Sequence, residues 1–293
     1  MKFKTTYIIL IIIVLGANLK AQQQTLQSFY MFDNIYINPA IAGTTDKFNV
    51  NLTVRTQWVG IDNSPKTQIL SSNKSIGSNK EMGVGAILYN DMVGFERRTG
   101  LSGIYSYKIK IGKKYKLSFG ILMSAFQYSV NEGKYNVVNE NDPSFTTNRE
   151  SIFIPDANAG VYFYSKNFYV GYSATQLFKN EIKINDESTD LKMVRHHYLQ
   201  VGYNFNFGEN IKLRASTITR FFETFKTQSE LTARIIYKNT YWFGLSSRGL
   251  NSVVIMVGFN YKKYRFGYAY DFIFSSLPNA NSNSHEMFLS VDF

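Results

Sequence analysis

Asn49-Val50-Asn51-Leu52-Thr53-Val54-Arg55-Thr56-Gln57-Trp58 is the stretch whose reading decides the fold. Val50, Leu52, Val54 and Trp58 share one parity, while Asn49, Asn51, Thr53, Arg55 and Gln57 share the other. Successive side chains of an extended chain point to opposite faces, so a period of two makes this a strand with one apolar and one polar side. The pattern recurs. Tyr115, Leu117, Phe119, Ile121 and Met123 alternate with Lys116, Ser118, Gly120, Leu122 and Ser124, and Phe266, Tyr268, Tyr270 and Phe272 alternate with Arg265, Gly267, Ala269 and Asp271. Ile211, Leu213 and Ala215 oppose Lys212, Arg214 and Ser216, and Leu231, Ala233, Ile235 and Tyr237 oppose Glu230, Thr232, Arg234 and Ile236.

Working outward, the alternation predicts fourteen strands at approximately 47–58, 66–74, 81–91, 97–110, 114–130, 156–165, 167–177, 192–207, 210–221, 226–238, 240–248, 251–261, 263–274 and 284–293. An even count is the rule for single-chain bacterial barrels. A soluble β-sandwich shows the same period, and three features favour an all-β transmembrane antiparallel barrel instead. Tight links at Gly112-Lys113 and Gly208-Glu209 contrast with long polar ones from Asn131 to Pro155 and from Lys179 to Leu191, as short periplasmic turns and long outer loops require. Arg55, Arg214, Arg234, Arg265 and Asp271 stand opposite the aromatics, where a hydrated lumen tolerates charges that lipid or a dry core would not. Met287, Leu289, Val291 and Phe293 share one face of the final segment, the pattern expected of an insertion signal for the barrel assembly machinery.

At the other end, Lys2 and Lys4 precede an apolar run from Tyr7 to Leu15, followed by Gly16-Ala17 and Leu19-Lys20-Ala21. Charged, apolar and small-residue regions in that order predict a secretory signal peptide, and the run falls short of the roughly 20 residues of a membrane-crossing helix. The expected organisation is a signal peptide over 1–21, a leading segment at the periplasmic mouth over 22–46, and the barrel over 47–293, placed in the outer membrane after Sec-dependent export. The absence of Cys excludes disulfides, thiolate metal sites and a lipid anchor at Gln22. Aromatics make up 16% of the chain at a mean hydropathy of −0.19, which suits aromatic girdles around a wet interior. The formal net charge of +11 is dispersed along the chain, and an exported protein meets no nucleic acid. The prolines, including Pro155, fall in or beside segments without alternation and are expected in loops.

The stretch Tyr30-Met31-Phe32-Asp33-Asn34-Ile35-Tyr36-Ile37-Asn38-Pro39-Ala40-Ile41-Ala42-Gly43 is aromatic without alternating and ends in turn formers, so it is expected to fold back and plug or line the mouth. With Arg55-Thr56-Gln57-Trp58-Val59-Gly60-Ile61-Asp62 running to Pro65-Lys66-Thr67-Gln68, with Gly83-Val84-Gly85-Ala86-Ile87-Leu88-Tyr89-Asn90-Asp91 and Gly94, and with Ser284-His285-Glu286, it resembles the PorP/SprF family. One departure is Asp33-Asn34-Ile35, where the family pattern has Asn, Pro and an apolar residue. Read from the residues alone, Asn38-Pro39 with Gly43 turns the chain, Trp58 is a girdle residue, and Asp62 to Pro65 and Asn90-Asp91 with Gly94 are hairpin loops.

No chemistry converges. His196 and His197 point to opposite faces and cannot share a metal, as do His285 and Glu286, and no nucleophile elbow, zinc-helix motif or phosphate loop occurs. An enzyme, a cofactor and a metal are therefore not expected. The resemblance implies a component of the type IX secretion and gliding machinery of the Bacteroidetes. Its implied partners are the periplasmic ring and peptidoglycan-associated proteins of that system, a secreted adhesin with a C-terminal sorting domain, or both. A passive porin or small-solute transporter is the alternative. Arg55, Arg214, Arg234 and Arg265 are the lumen residues expected to receive an acidic or polar peptide of a partner.

Overall fold

Strand β1 (Asn49–Thr56) pairs on one side with β2 (Lys66–Ile76) and on the other with β16 (Ser284–Asp292), so the last strand closes on the first. The computed structural model describes residues 27–131, 149–184, 187–222, 227–249, 252–274 and 283–293. The wall continues through β3 (Met82–Val93), β4 (Glu96–Ile111), β5 (Tyr115–Asn131), β6 (Arg149–Tyr164) and β7 (Phe168–Thr175). It then passes to β10 (His196–Phe207), β11 (Ile211–Phe222), β12 (Gln228–Tyr237), β13 (Tyr241–Ser247), β14 (Ser252–Tyr261) and β15 (Tyr264–Ile273). Among the described residues these form a closed fourteen-stranded antiparallel barrel, one strand for each predicted segment. The expected signal peptide over 1–21 lies outside the described residues.

Three expectations are corrected. Asn90 and Asp91, read as part of a hairpin loop, lie inside β3, paired with Thr99 and Arg98 of β4. The segment from Lys179 to Leu191, read as loop, contributes to a separate two-stranded sheet of β8 (Glu181–Ile184) and β9 (Glu187–Lys192), and the wall strand read from 192 begins at His196. Pro155, also expected in a loop, stands inside β6 opposite Ala125 of β5. The reason is local: β6 pairs in register with β7 only from Ala159 to Tyr164, so beside Pro155 that edge carries no strand ladder, and the Pro155 carbonyl accepts from Asn180 Nδ2 at 2.6 Å instead.

The period of two becomes an inside and an outside. Leu88, Leu101, Ile121, Met123 and Leu231 stand on the outer surface, each more than half exposed. Apolar exposure on that scale needs an apolar surround. At the end carrying the short turns, aromatic pairs such as Phe259 with Phe266 and Tyr115 with Phe163, at 4.8 and 5.3 Å between centroids, form a girdle. Lys263 there sits 4.5 Å from the Phe293 ring centroid, an apolar body with a polar tip at a membrane surface. Met287, Leu289 and Val291 share that outer face, opposite the buried Glu286, Phe288 and Ser290. No described helix is long and apolar enough to cross a membrane; strands make the crossing.

Candidate functional site

Residues 27–44 lie inside the barrel and Thr45 and Asp46 emerge at its rim. They run from the level of Arg55, on the long-connection side, to the short-turn end where β1 begins. The segment is irregular because its bonding partners are wall side chains rather than a neighbouring strand. Its aromatic content gives it something to bury: Phe29, Tyr30, Ile35 and Ile37 are all below 8% exposed, each worth roughly 1.5–3 kcal/mol of apolar burial. Phe29 and Phe32 pack on Trp242 and Phe288, and Ile35 joins Ile69, Ile87, Ile104 and Leu122.

The far end of the segment is held by charge. Ser28 N–H donates to Glu286 Oε2 at 2.8 Å and Phe29 N–H to Glu286 Oε1 at 3.2 Å. The Ser28 hydroxyl accepts from Arg55 Nη1 at 2.9 Å and Arg248 Nη2 at 3.1 Å. Arg55 pairs with Glu286 at 2.9 Å and Asp271 at 2.8 Å, and Arg248 pairs with Glu230 at 2.8 Å and with Asp271. Arg55 and Arg248 bridge the three carboxylates, Arg220 adds a third cation near Glu230, and the backbone N–H groups of the leading segment complete the hydrogen bonding of Glu286. Tyr30 extends the network: its hydroxyl donates to Thr232, which donates to Ser246, which donates to Glu230.

The middle of the segment is a 3₁₀ turn over Pro39–Ile41. Asn38 caps it: Oδ1 accepts from Ala40 N–H at 3.1 Å, and Nδ2 donates to the Val161 carbonyl at 3.2 Å. Pro39 fits the first turn position because no N–H is needed there. The turn rests on bare backbone. A Cβ on Gly120 would stand 2.3 Å from the Ala40 nitrogen, one on Gly160 2.1 Å from Asn38 Oδ1, and one on Gly83 2.2 Å from the Ala42 carbonyl. At the near end Gly43, at φ +65°, turns the chain toward β1 while its N–H bonds Asn73 Oδ1. Its carbonyl accepts from Lys108 Nζ, and Ser106 Oγ donates to the Ala42 carbonyl at 2.7 Å. Replacing Asn38 by Ala removes the cap and a wall bond. That is expected to destabilise the docked turn by about 1–2 kcal/mol, read as faster proteolysis of residues 27–46 in the otherwise folded barrel.

The motif residues of the sequence separate by face. Asn38, Pro39, Ala40, Gly43, Arg55, Thr67, Asp91 and Glu286 point into the lumen, and Thr67 Oγ1 bonds Asp91 Oδ1 at 2.6 Å. Lys66, Gln68 and Asn90 point outward, where Asn90 Oδ1 accepts from Arg97 at 2.7 Å and Thr99 at 3.0 Å. Gln57 N–H bonds the Pro65 carbonyl, Trp58 and Gly60 take positive φ in the connection after β1, and Gly94 N–H bonds the Asn63 carbonyl there. His285 sits outside, 2.6 Å from the Tyr268 hydroxyl, as His197 sits 2.8 Å from that of Tyr172. In register Arg55 stands opposite Glu286 and Thr67 opposite Asp91, so three of the four family-like segments form one contiguous wall of β16, β1, β2 and β3.

The lumen arginines divide, and a hydrated lumen is not what accommodates them all. Arg55 and Asp271 are each 2% exposed and neutralised by ion pairs rather than by water. Arg265 pairs with Asp292 at 2.6 Å. Among the described residues Arg214 and Arg234 have no carboxylate partner, although the Arg234 guanidinium stacks 3.9 Å from the Phe32 ring centroid. Reading the sequence missed Ser28, Glu230 and Arg248 as parts of one network. Glu230 carried a signal, as an acid on the polar parity; Ser28 and Arg248 carried none, since a network joining residues more than 200 positions apart has no local signature.

The profile of the family described as type IX secretion system membrane protein PorP/SprF matches residues 19–291. No curated protein matches the chain in sequence. Among solved structures, the CymD monoaromatic hydrocarbon channel is similar with a TM-score of 0.54 at 11% identity, covering 88% of this chain and 91% of that one. The Ralstonia pickettii toluene transporter TbuX gives 0.51 at 9% identity, covering 88% and 92%. A Pseudomonas aeruginosa FadL homologue gives 0.50 at 11%, covering 90% and 93%. At such identities the likeness is one of fold.

Proposed function

This chain belongs to the PorP/SprF family of type IX secretion system membrane proteins and is an outer-membrane β-barrel, and from that premise we propose that it acts as a closed docking component supporting export and surface anchoring of a large adhesin or comparable cargo. The observation that carries this reading is the leading segment that crosses the lumen and is latched through Ser28, Arg55, Arg248 and Glu286. A barrel whose interior is occupied by its own chain is suited to presenting surfaces to partners, and a passive porin needs the opposite. Short turns face the periplasm in outer-membrane barrels, so the short-turn end would meet the periplasmic ring and peptidoglycan-associated proteins of the system. The connection 57–65 and the outlying β8 and β9 would meet the adhesin with its sorting domain.

A deletion strain is expected to synthesise the adhesin and fail to display it, scored by surface immunolabelling against whole-cell immunoblotting. The purified barrel is expected to be silent in planar bilayers. Normal display in the deletion strain together with steady conductance from the wild-type barrel would replace the secretion reading by the porin one.

A further inference from the structure

Beside the leading segment, the short-turn end of the lumen contains a cavity of about 540 Å³. Five cations line it: Lys114 and Lys116 from the start of β5, Lys166 from the turn after β6, Arg214 of β11 and Arg234 of β12. No carboxylate lines it, and among the described residues none of the five forms a salt bridge.

The two arginines make the concentration of charge unusual. Arg214 and Arg234 are direct cross-strand partners and project to the same face, a placement that costs stability for like charges unless something offsets it. Arg234 is 2% exposed, and among the described residues its Nε and Nη1 have no hydrogen-bond partner. Its flat face is covered by Phe32 and, at 5.6 Å, Trp242, so its donors remain free at the edge. The buried hydroxyl of Tyr164, also in the cavity wall, has no partner either. Buried donors left unpaired are costly, and a fork of N–H groups with lysines behind it matches the oxygens of a phosphate.

We propose that this cavity is a binding site for a phosphate-bearing anion, entering from the short-turn mouth, with Arg234 and Arg214 holding the phosphate oxygens and Lys114, Lys116 and Lys166 supplying the surrounding charge. The volume is that of a small-molecule pocket. The phosphate could come from a soluble organic phosphate or from a phospholipid headgroup reaching over the rim.

The test uses the full-length purified barrel in lipid nanodiscs, with inorganic pyrophosphate as the probe in low-salt calorimetry. Saturable binding is expected, and a Lys114→Gln/Lys116→Gln/Lys166→Gln variant, altered only at mouth positions, is expected to weaken it at least about tenfold, the loss of roughly one charge-assisted hydrogen bond. A Lys238→Gln/Lys262→Gln/Lys263→Gln variant, altered on turns outside the cavity, is expected to bind as wild type. Competition separates the sources: lower affinity in phosphatidylglycerol discs than in phosphatidylcholine discs supports the site with a headgroup as its occupant, and equal affinity supports it with a soluble phosphate. No saturable binding by wild type, or equal loss in both triple variants, overturns the proposal.

Discussion

An Arg55→Ala variant is expected to turn a silent barrel into a conducting one. Arg55 is buried and contacts Glu286, Asp271 and Ser28 at once. Without it, Glu286 loses its ion-pair partner and Asp271 keeps only Arg248 among the described residues, both in a buried site. Removing one partner of a buried ion pair typically costs about 3–5 kcal/mol, because the other charge is stranded. The least expensive relief is for the first residues of the leading segment to withdraw and let water reach the carboxylates, which opens the interior. Planar-bilayer conductance and protease sensitivity of residues 27–46 should rise together. Ser28→Ala is the companion variant: it leaves every wall charge in place and removes only the acceptor shared by two arginines. It should give the same phenotype in weaker form, about 1–3 kcal/mol. A silent, protease-resistant Arg55→Ala barrel would show that apolar packing alone retains the segment.

Gly120→Val is expected to unseat the Asn38-Pro39-Ala40 turn. The added Cβ would stand 2.3 Å from the Ala40 nitrogen and 2.4 Å from the Pro39 carbonyl carbon, backbone atoms that no rotamer change can move aside. Overpacking a close contact costs roughly 1–3 kcal/mol and occasionally more; with the turn held on both sides, the upper part of that range applies. Since Gly120 lies mid-strand in β5, valine itself suits the local backbone, so the barrel should assemble and the segment should not dock. Gly103→Val is the control, because nothing lies within 4 Å of a Cβ there. Proteolysis should cut the leading segment of the first variant and spare that of the second. Equal resistance in both would mean that the wall yields where the turn rests.

Much of this barrel is legible in the order of its amino acids. Alternation specifies a strand locally, so each of the fourteen wall segments is visible in its own residues, and the parity of Arg55, Arg214, Arg234, Arg265 and Asp271 places them all inside. What alternation cannot carry is contact across the lumen. Gly120 and Gly160 read as small residues on a polar face; that they form a seat for Asn38 depends on β5 and β6 standing side by side with the leading segment crossing them. Arg55 and Arg234 look alike in sequence, yet one is neutralised by two carboxylates and the other faces a cavity of cations. Pro155 misleads for a related reason: its tolerance comes from the shortness of a neighbouring strand, which its own residues do not record.

The latch joins the two ends of the polypeptide in time as well as in space. Ser28 is among the earliest described residues to leave the ribosome, and Glu286, on the last strand, is among the latest. Arg55 and Glu286 become cross-strand partners only when β16 meets β1, the pairing that seals the cylinder. Until that seam forms, Glu286 lacks its cross-strand partner Arg55, and Ser28 lacks the Arg55 and Glu286 sides of its dock. Securing the interior and finishing the wall are therefore one event, and a chain truncated before Glu286 can accomplish neither.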